Sequence, residues 1–154
     1  MPRLARIVVP YYPHHIIQRG NRNQDVFFCE EDRKTYLYLL RRFCAQESVH
    51  VQAYCLMTNH VHIVAVPETS NGFAIALREI HLRYTRGINA RFGWNGYLWQ
   101  GRFKSYILDR VHFLRVMRYV ERNPIEVGLV KRAEEYQWSS ARAHILNRHD
   151  SVLS

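Results

Sequence analysis

Acidic residues are scarce in this sequence. Only 13 Asp and Glu stand against 22 Lys and Arg, a net charge of +9 with a pI of about 9.8. The acids are scattered, mostly on helix starts and loops, so a nuclease built on a carboxylate cluster is not suggested. Lysine is scarce as well: of the 22 cations, 19 are Arg and 3 are Lys. The Arg fork grips phosphate with two parallel bonds where Lys offers a point charge, so the excess favours a polyanionic partner, nucleic acid first. Cysteine is limited to Cys29, Cys44 and Cys55, an odd number without a CxxC pair. That excludes a zinc framework or a disulfide scaffold and fits a reducing cytoplasm. With 7 Gly and 5 Pro, a collagen-like or low-complexity chain is excluded too. No apolar run approaches the ~18 residues that span a bilayer, so no membrane partner is expected. Met1 to Pro13 carries Arg3 and Arg6 but neither an apolar h-region nor a small-residue cleavage site, and no signal peptide is read there.

What is present is an ordinary globular composition, 47% hydrophobic and 23% charged over 154 residues. It supports one compact domain over residues 1–154. His14 to Arg19 reads as a strand, stopped by Gly20-Asn21-Arg22-Asn23. Glu30, Glu31 and Asp32 open a helix to about Gln46, with an apolar stripe of Tyr36, Leu37, Leu40, Phe43 and Cys44. Val49 to Met57 reads as a strand with Val49, Val51 and Ala53 on one face. The turn Thr58-Asn59 leads into a strand from His60 to Val66, closed by Pro67, and so short a connection forces an antiparallel hairpin. Ser70 or Asn71 caps a helix to about Phe92, striped by Phe73, Leu77, Ile80, Tyr84 and Ile88. After the loop Gly93 to Gly101, Phe103 to Leu108 reads as a fourth strand. A helix from about Val111 to Asn123 is stopped by Pro124, a short one follows near Ser139 to Leu146, and the last residues fray. The order β-α-β-β-α-β plus helices predicts an α+β chain: a ferredoxin-like antiparallel sheet with helices packed on one face. The other face stays open for a ligand or for a further helix carrying chemistry.

Three features carry candidate chemistry. His60 and His62, at i and i+2 of a strand, point to one face ~6.6 Å apart along the chain. Two imidazoles at that spacing can converge on a divalent ion, or be two polar residues on a solvated face. On the helix after Val111, the stripe Phe113, Val116, Met117 and Val120 faces the core, which puts Tyr119, Asn123 and His112 together on one flank with Arg115 and Arg122 beyond. That flank offers a phenol, an amide able to bind metal, and guanidinium groups; its plain alternative is a boundary tyrosine and an asparagine ending a helix. Trp99-Gln100-Gly101-Arg102-Phe103-Lys104, near Trp94, Tyr97 and Tyr106, interleaves aromatics with cations. Such a pattern suits stacking on unpaired bases, and equally a core tryptophan beside solvent-facing charges.

These segments occur in a telling order: Gln18-Arg19-Gly20-Asn21, then Met57-Thr58-Asn59-His60-Val61-His62, then the Trp99 to Lys104 run. Tyr119-Val120-Glu121-Arg122-Asn123-Pro124, Gly128-Leu129-Val130 and Trp138-Ser139-Ser140 complete it. The sequence from about Ile7 to Ala143 thereby resembles the single-tyrosine HUH transposases, and among them the REP-associated tyrosine transposases. The resemblance implies an added catalytic helix, with Tyr119 as nucleophile and His60, His62 and Asn123 as ligands of a Mg²⁺ or Mn²⁺ ion. It implies single-stranded or hairpin DNA of REP-like type as the partner, and a protein acting as monomer or homodimer. The DNA-contacting residues expected with it are Arg19, Asn21, Arg22, Trp99, Gln100, Arg102, Phe103, Lys104, Arg115 and Arg122. The chain departs from the family pattern at Thr58, where Pro is usual, and at Glu126-Val127, where Arg-Ala is common; Glu126 removes a cation near DNA.

A phenol gives up its proton only near pH ~10, so attack on a phosphodiester needs charge neutralisation and in-line placement of the phosphate. The expected chemistry is attack by Tyr119 on single-stranded DNA, giving a 5′-phosphotyrosine and a free 3′-OH, with resealing that needs no ATP. The main rival is a non-catalytic ferredoxin-like nucleic-acid-binding module, which places aromatics where this chain has the HxH strand. A two-histidine phosphoesterase would place an HxT or HxS motif on each of two strands; the predicted strands carry one HxH and no second copy.

Overall fold

The computed structural model describes residues 7–154. Arg3 and Arg6 lie outside the described residues. The elements run β1 (His14–Arg19), a 3₁₀ turn (Asn21–Asn23), α1 (Glu30–Gln46), β2 (Val49–Leu56), β3 (His60–Pro67), α2 (Gly72–Phe92), β4 (Lys104–Ile107), α3 (Arg110–Glu126), a 3₁₀ turn (Ala133–Glu135) and α4 (Ala141–Leu146). The four strands form one sheet in the order β2-β3-β1-β4 with antiparallel neighbours throughout. This is the ferredoxin-like topology that the element order predicts.

Strand alternation sends one set of side chains to each face. Ile16, Val51, Leu56 and Ile63 pack beneath α1 and α2, against Tyr36, Leu40, Phe73, Leu77, Ile80 and Tyr84. The opposite face carries Ala53, Cys55, Met57 and Val64, covered by Phe113, Val116, Met117 and Val120 of α3 and by Tyr136. The expectation that Ala53 shares a face with Val49 and Val51 is therefore corrected. The β2–β3 register slips between Val51 and Ala53, and a bulged residue reverses the alternation beyond it.

Pro124 does not stop α3, which runs on to Glu126. A proline so near the end removes a single hydrogen bond, and the following turn still closes. Gly128 (φ 79°) donates its N–H to Ile125, and the Leu129 N–H reaches the Pro124 carbonyl, both at 2.9 Å. This left-handed glycine cap ends the helix. At its start, the Asp109 carboxylate accepts from the His112 N–H at 2.8 Å.

The segment around Trp138-Ser139-Ser140 closes the β2 edge. Leu56 N–H donates to the Trp138 carbonyl (2.8 Å), and Ser140 N–H to that of Tyr54 (3.0 Å). The Ser140 hydroxyl and the His144 ring both meet the buried Glu121 carboxylate, which ties α3 to the C-terminal segment. The last residues do not fray. Val152 is buried, the Tyr54 hydroxyl donates to Asp150 at 2.8 Å, and Ser154 N–H reaches the Val51 carbonyl at 3.0 Å.

Candidate active site

The site begins at the β2–β3 turn. Gly20 N–H donates to the Asn59 carbonyl at 2.8 Å, and only glycine fits there, since a Cβ would sit 2.2 Å from the Gln24 carbonyl oxygen. The Asn59 side chain donates its NH₂ to the Asn23 carbonyl (3.3 Å), so its Oδ1 faces the ring of His60 and accepts from Nδ1 at 2.7 Å. His60 is thereby held with its proton on Nδ1. Two residues on, His62 lies on the same face, the two rings perpendicular with centroids 4.9 Å apart.

A third histidine joins them. In the β1–β3 pairing, Ile17 stands opposite His62 and His15 opposite Val64. His15 is thus the diagonal neighbour of His62 on one face. Its Nε2 lies 3.0 Å from His62 Nδ1, the rings near-parallel at 20°. Over this pair stands the Tyr119 ring from α3. It is edge-on to His62 (centroids 5.8 Å, 85°) and to His15 (6.3 Å, 77°). The phenol itself is half open, 52% exposed.

Burial keeps these imidazoles neutral. It pulls His15 down to about 4 and, with the nearby Arg19 charge, His60 to about 4. His62, only 2% exposed, is pulled to about 3 by burial, then by His60, His15 and Arg19. Neutral rings keep a nitrogen lone pair available as a ligand. Neither His60 Nε2 nor His62 Nε2 has a hydrogen-bond partner among the described residues. Among those residues no three His, Cys, Asp or Glu side chains gather at metal-holding distance. Two neutral imidazoles on one face suit a divalent ion that accepts nitrogen ligands.

Asn123, 8% exposed, lines a groove of about 730 Å³ along α3 together with Tyr119, Arg115, Arg118, Arg122 and Glu126. The structure therefore brings His60, His62 and Tyr119 together, and sets Asn123 and two of the expected arginines in one groove with the phenol. His112 is not part of it: its exposed ring turns back onto Asp109, with Nδ1 2.8 Å from the carboxylate.

Of the other expected DNA contacts, Arg19, Arg22, Gln100, Arg102 and Lys104 are exposed, and Asn21 is partly so. Trp99 and Phe103 are not surface rings and need correcting. They are 7% and 8% exposed, and Trp99 packs on His81 (4.5 Å), Tyr84 (5.9 Å) and Tyr36 (6.1 Å). The aromatics left open in this region are Trp94, Tyr97 and Tyr106. The Trp99 run is fastened to β1 by Gln100 N–H to the Arg19 carbonyl and Asn21 N–H to that of Leu98, both 2.8 Å. A larger recess of about 1000 Å³ opens on the α2 side, lined by Gln18, Asn21, Arg78, Tyr97 and Arg102. Neither this recess nor the α3 groove is lined by His60 or His62; of the two, the α3 groove holds Tyr119, whose ring meets His62.

His15 is the residue that the sequence reading missed. The doublet His14-His15 on a strand was a usable signal, but only the β1–β3 register tells which of the two joins the HxH face. His14 goes to the other side, buried edge-on against Phe73 at 5.1 Å.

A family model for IS200-like transposases matches residues 8–123. No curated protein matches the sequence. Among solved structures, the chain is similar to a REP-associated tyrosine transposase bound to a REP hairpin, with a TM-score of 0.78 and 16% identity over all of this chain and 92% of that one. It is also similar to a candidate transposase from Deinococcus radiodurans R1, with a TM-score of 0.51 and 17% identity over 79% of this chain and 97% of that one.

Proposed function

The chain belongs to the family of IS200-like transposases, and from that premise we propose that it cuts and rejoins single-stranded DNA through a covalent link to Tyr119. The observation that carries this reading is the Tyr119 ring seated edge-on against His62, itself 4.9 Å from His60. His60 and His62 would hold a Mg²⁺ or Mn²⁺ ion, with Asn123 supplying the amide oxygen. When bound, the ion supplies Lewis-acid polarisation and charge neutralisation at the scissile phosphate.

The protein's own groups do the rest. The Tyr119 oxygen attacks phosphorus, the bond from phosphorus to the 3′-oxygen breaks, and that oxygen leaves as a 3′-hydroxyl after taking up a proton. The 5′-phosphate stays on Tyr119. An incoming 3′-hydroxyl reverses the step and frees the phenol, so the bond energy is conserved and no ATP is needed. Arg115 and Arg122 flank Tyr119 in the same groove and would hold the backbone while the phosphorus is brought in line. Since Tyr119 and His62 meet within one chain, the reaction is proposed to run in cis, in a single copy.

The solved relative carries a REP hairpin, and a hairpin with an unpaired tail is the substrate proposed here. Exposed Arg19, Arg22, Gln100, Arg102 and Lys104 would track its backbone, and exposed Tyr97 would stack on the tail. The test is incubation with a 3′-end-labelled hairpin in Mn²⁺, followed by denaturing electrophoresis. The wild type should give a labelled protein–DNA adduct and Tyr119→Phe none. An adduct in the variant, or cleavage by the wild type without one, overturns the reading.

A further inference from the structure

Each histidine of the HxH pair has a different partner on Nδ1. For His60 the partner is Asn59 Oδ1, a pure acceptor, which leaves one arrangement: proton on Nδ1, lone pair on Nε2. For His62 it is the imidazole of His15, 3.0 Å away and buried with it. An imidazole can donate or accept, so the same contact allows two arrangements. If His15 Nε2 carries the proton and donates, His62 is left protonated on Nε2 and cannot ligate through it. If His15 Nε2 accepts, His62 is protonated on Nδ1 and its Nε2 lone pair is free.

We propose that His15 is a positioning residue whose Nε2 accepts the His62 Nδ1–H and so presents His62 Nε2 as a metal ligand. The inference rests on the divalent-ion reading given above and assigns a residue outside the HxH motif and the Tyr119 helix. Three observations support it. His62 has no other partner on Nδ1 among the described residues. The two rings lie near-parallel, at 20°, on strands β1 and β3 that pair directly, so the contact joins neighbouring strands of the sheet. Tyr119 lies edge-on against both rings, so a rotation of either one would shift the phenol as well. A hydrogen bond to the far nitrogen of a ligating histidine fixes its tautomer and ring plane, and losing such a partner typically costs 10- to 100-fold in metal affinity.

The test uses full-length protein with ¹⁵N-labelled histidine, with side-chain tautomers read by long-range ¹H–¹⁵N correlation, and Mn²⁺ affinity read by calorimetry. In the metal-free wild type His62 should be protonated on Nδ1, and stay so when Mg²⁺ is added. His15→Phe should weaken Mn²⁺ binding 10- to 100-fold and release His62 into a tautomer mixture. His15→Gln, whose side-chain oxygen can accept, should restore affinity to within a few-fold. His62 protonated on Nε2 in the wild type overturns the proposal, as does Mn²⁺ bound by His15→Phe as tightly as by the wild type. So does equal weakening in the Phe and Gln variants when both are folded. A wild type that binds no Mn²⁺ yet shows the Nδ1–H tautomer would sink the metal reading and leave the His15 assignment standing.

Discussion

Tyr119 and His62 come from a helix and a strand on opposite sides of α2 in the sequence, yet their rings meet edge-to-face with centroids 5.8 Å apart. The sheet fixes the histidine and the Phe113-Val116-Met117-Val120 stripe fixes the helix. The phenol is thereby held over the imidazoles by core packing and not by a loop.

Metal binding should register as stability. If His60 and His62 hold the ion, Mn²⁺ at about 100 times its Kd should stabilise the fold by about 2.7 kcal/mol. Thermal melting with and without Mn²⁺ checks this. His60→Ala and His62→Ala should melt at the same temperature in both conditions; a full Mn²⁺ shift in either would remove that residue from the ligand set.

Trp99 and Tyr97 should separate folding from binding. Trp99 is packed on His81, Tyr84 and Tyr36, so Trp99→Ala should cost about 3–5 kcal/mol in urea unfolding. Tyr97 is 87% exposed, and Tyr97→Ala should leave stability within roughly 0.5 kcal/mol. It should weaken single-strand binding by about 1–3 kcal/mol if the ring stacks on a base. Unchanged affinity would take Tyr97 out of the interface.

Salt should expose the arginines of the α3 groove. Each phosphate contact to single-stranded DNA contributes about 0.7 to the slope of log affinity against log salt. Arg115→Ala and Arg122→Ala should each flatten the slope by about that much in fluorescence anisotropy titrations. A weaker but equally steep line would mean that the side chain does not contact a phosphate.

Acid should weaken the fold through His81. Burial pulls this imidazole down to about 3, against about 6.5 in an unfolded chain. Its Nε2 lies 2.9 Å from the Tyr36 hydroxyl, which donates to the neutral ring. Between those two values the unfolded chain binds more protons, so the His81 contribution is complete above pH 6.5 and fades as pH falls toward 3. Urea unfolding from pH 7 to pH 4 should show a shallower loss in His81→Phe than in the wild type. Equal slopes would contradict the assignment.

Much of the fold was legible in the sequence because its cues are local. The alternation of β1 and β3 and the 3.6-residue stripes of α1 and α2 follow from which residues must be buried. The misreadings came where distant segments decide. The bulge that turns Ala53 over is set by pairing with β3. Pro124 is tolerated because a glycine cap closes the next turn. Trp99 and Phe103 look like a stacking platform until α2 and Tyr36 enclose them. Of the candidate site, His60, His62 and the Tyr119–Asn123 flank could be read from spacing, whereas His15 needed the β1–β3 register.

The central claim is that Tyr119 is the atom donor to phosphorus, and locating the covalent bond tests it most directly. A trapped adduct is digested to nucleotides and peptides, and the modified residue is sequenced by mass spectrometry. The account predicts a nucleotide 5′-phosphate on the peptide carrying Tyr119 and on no other tyrosine. The same mass on a different side chain would contradict it.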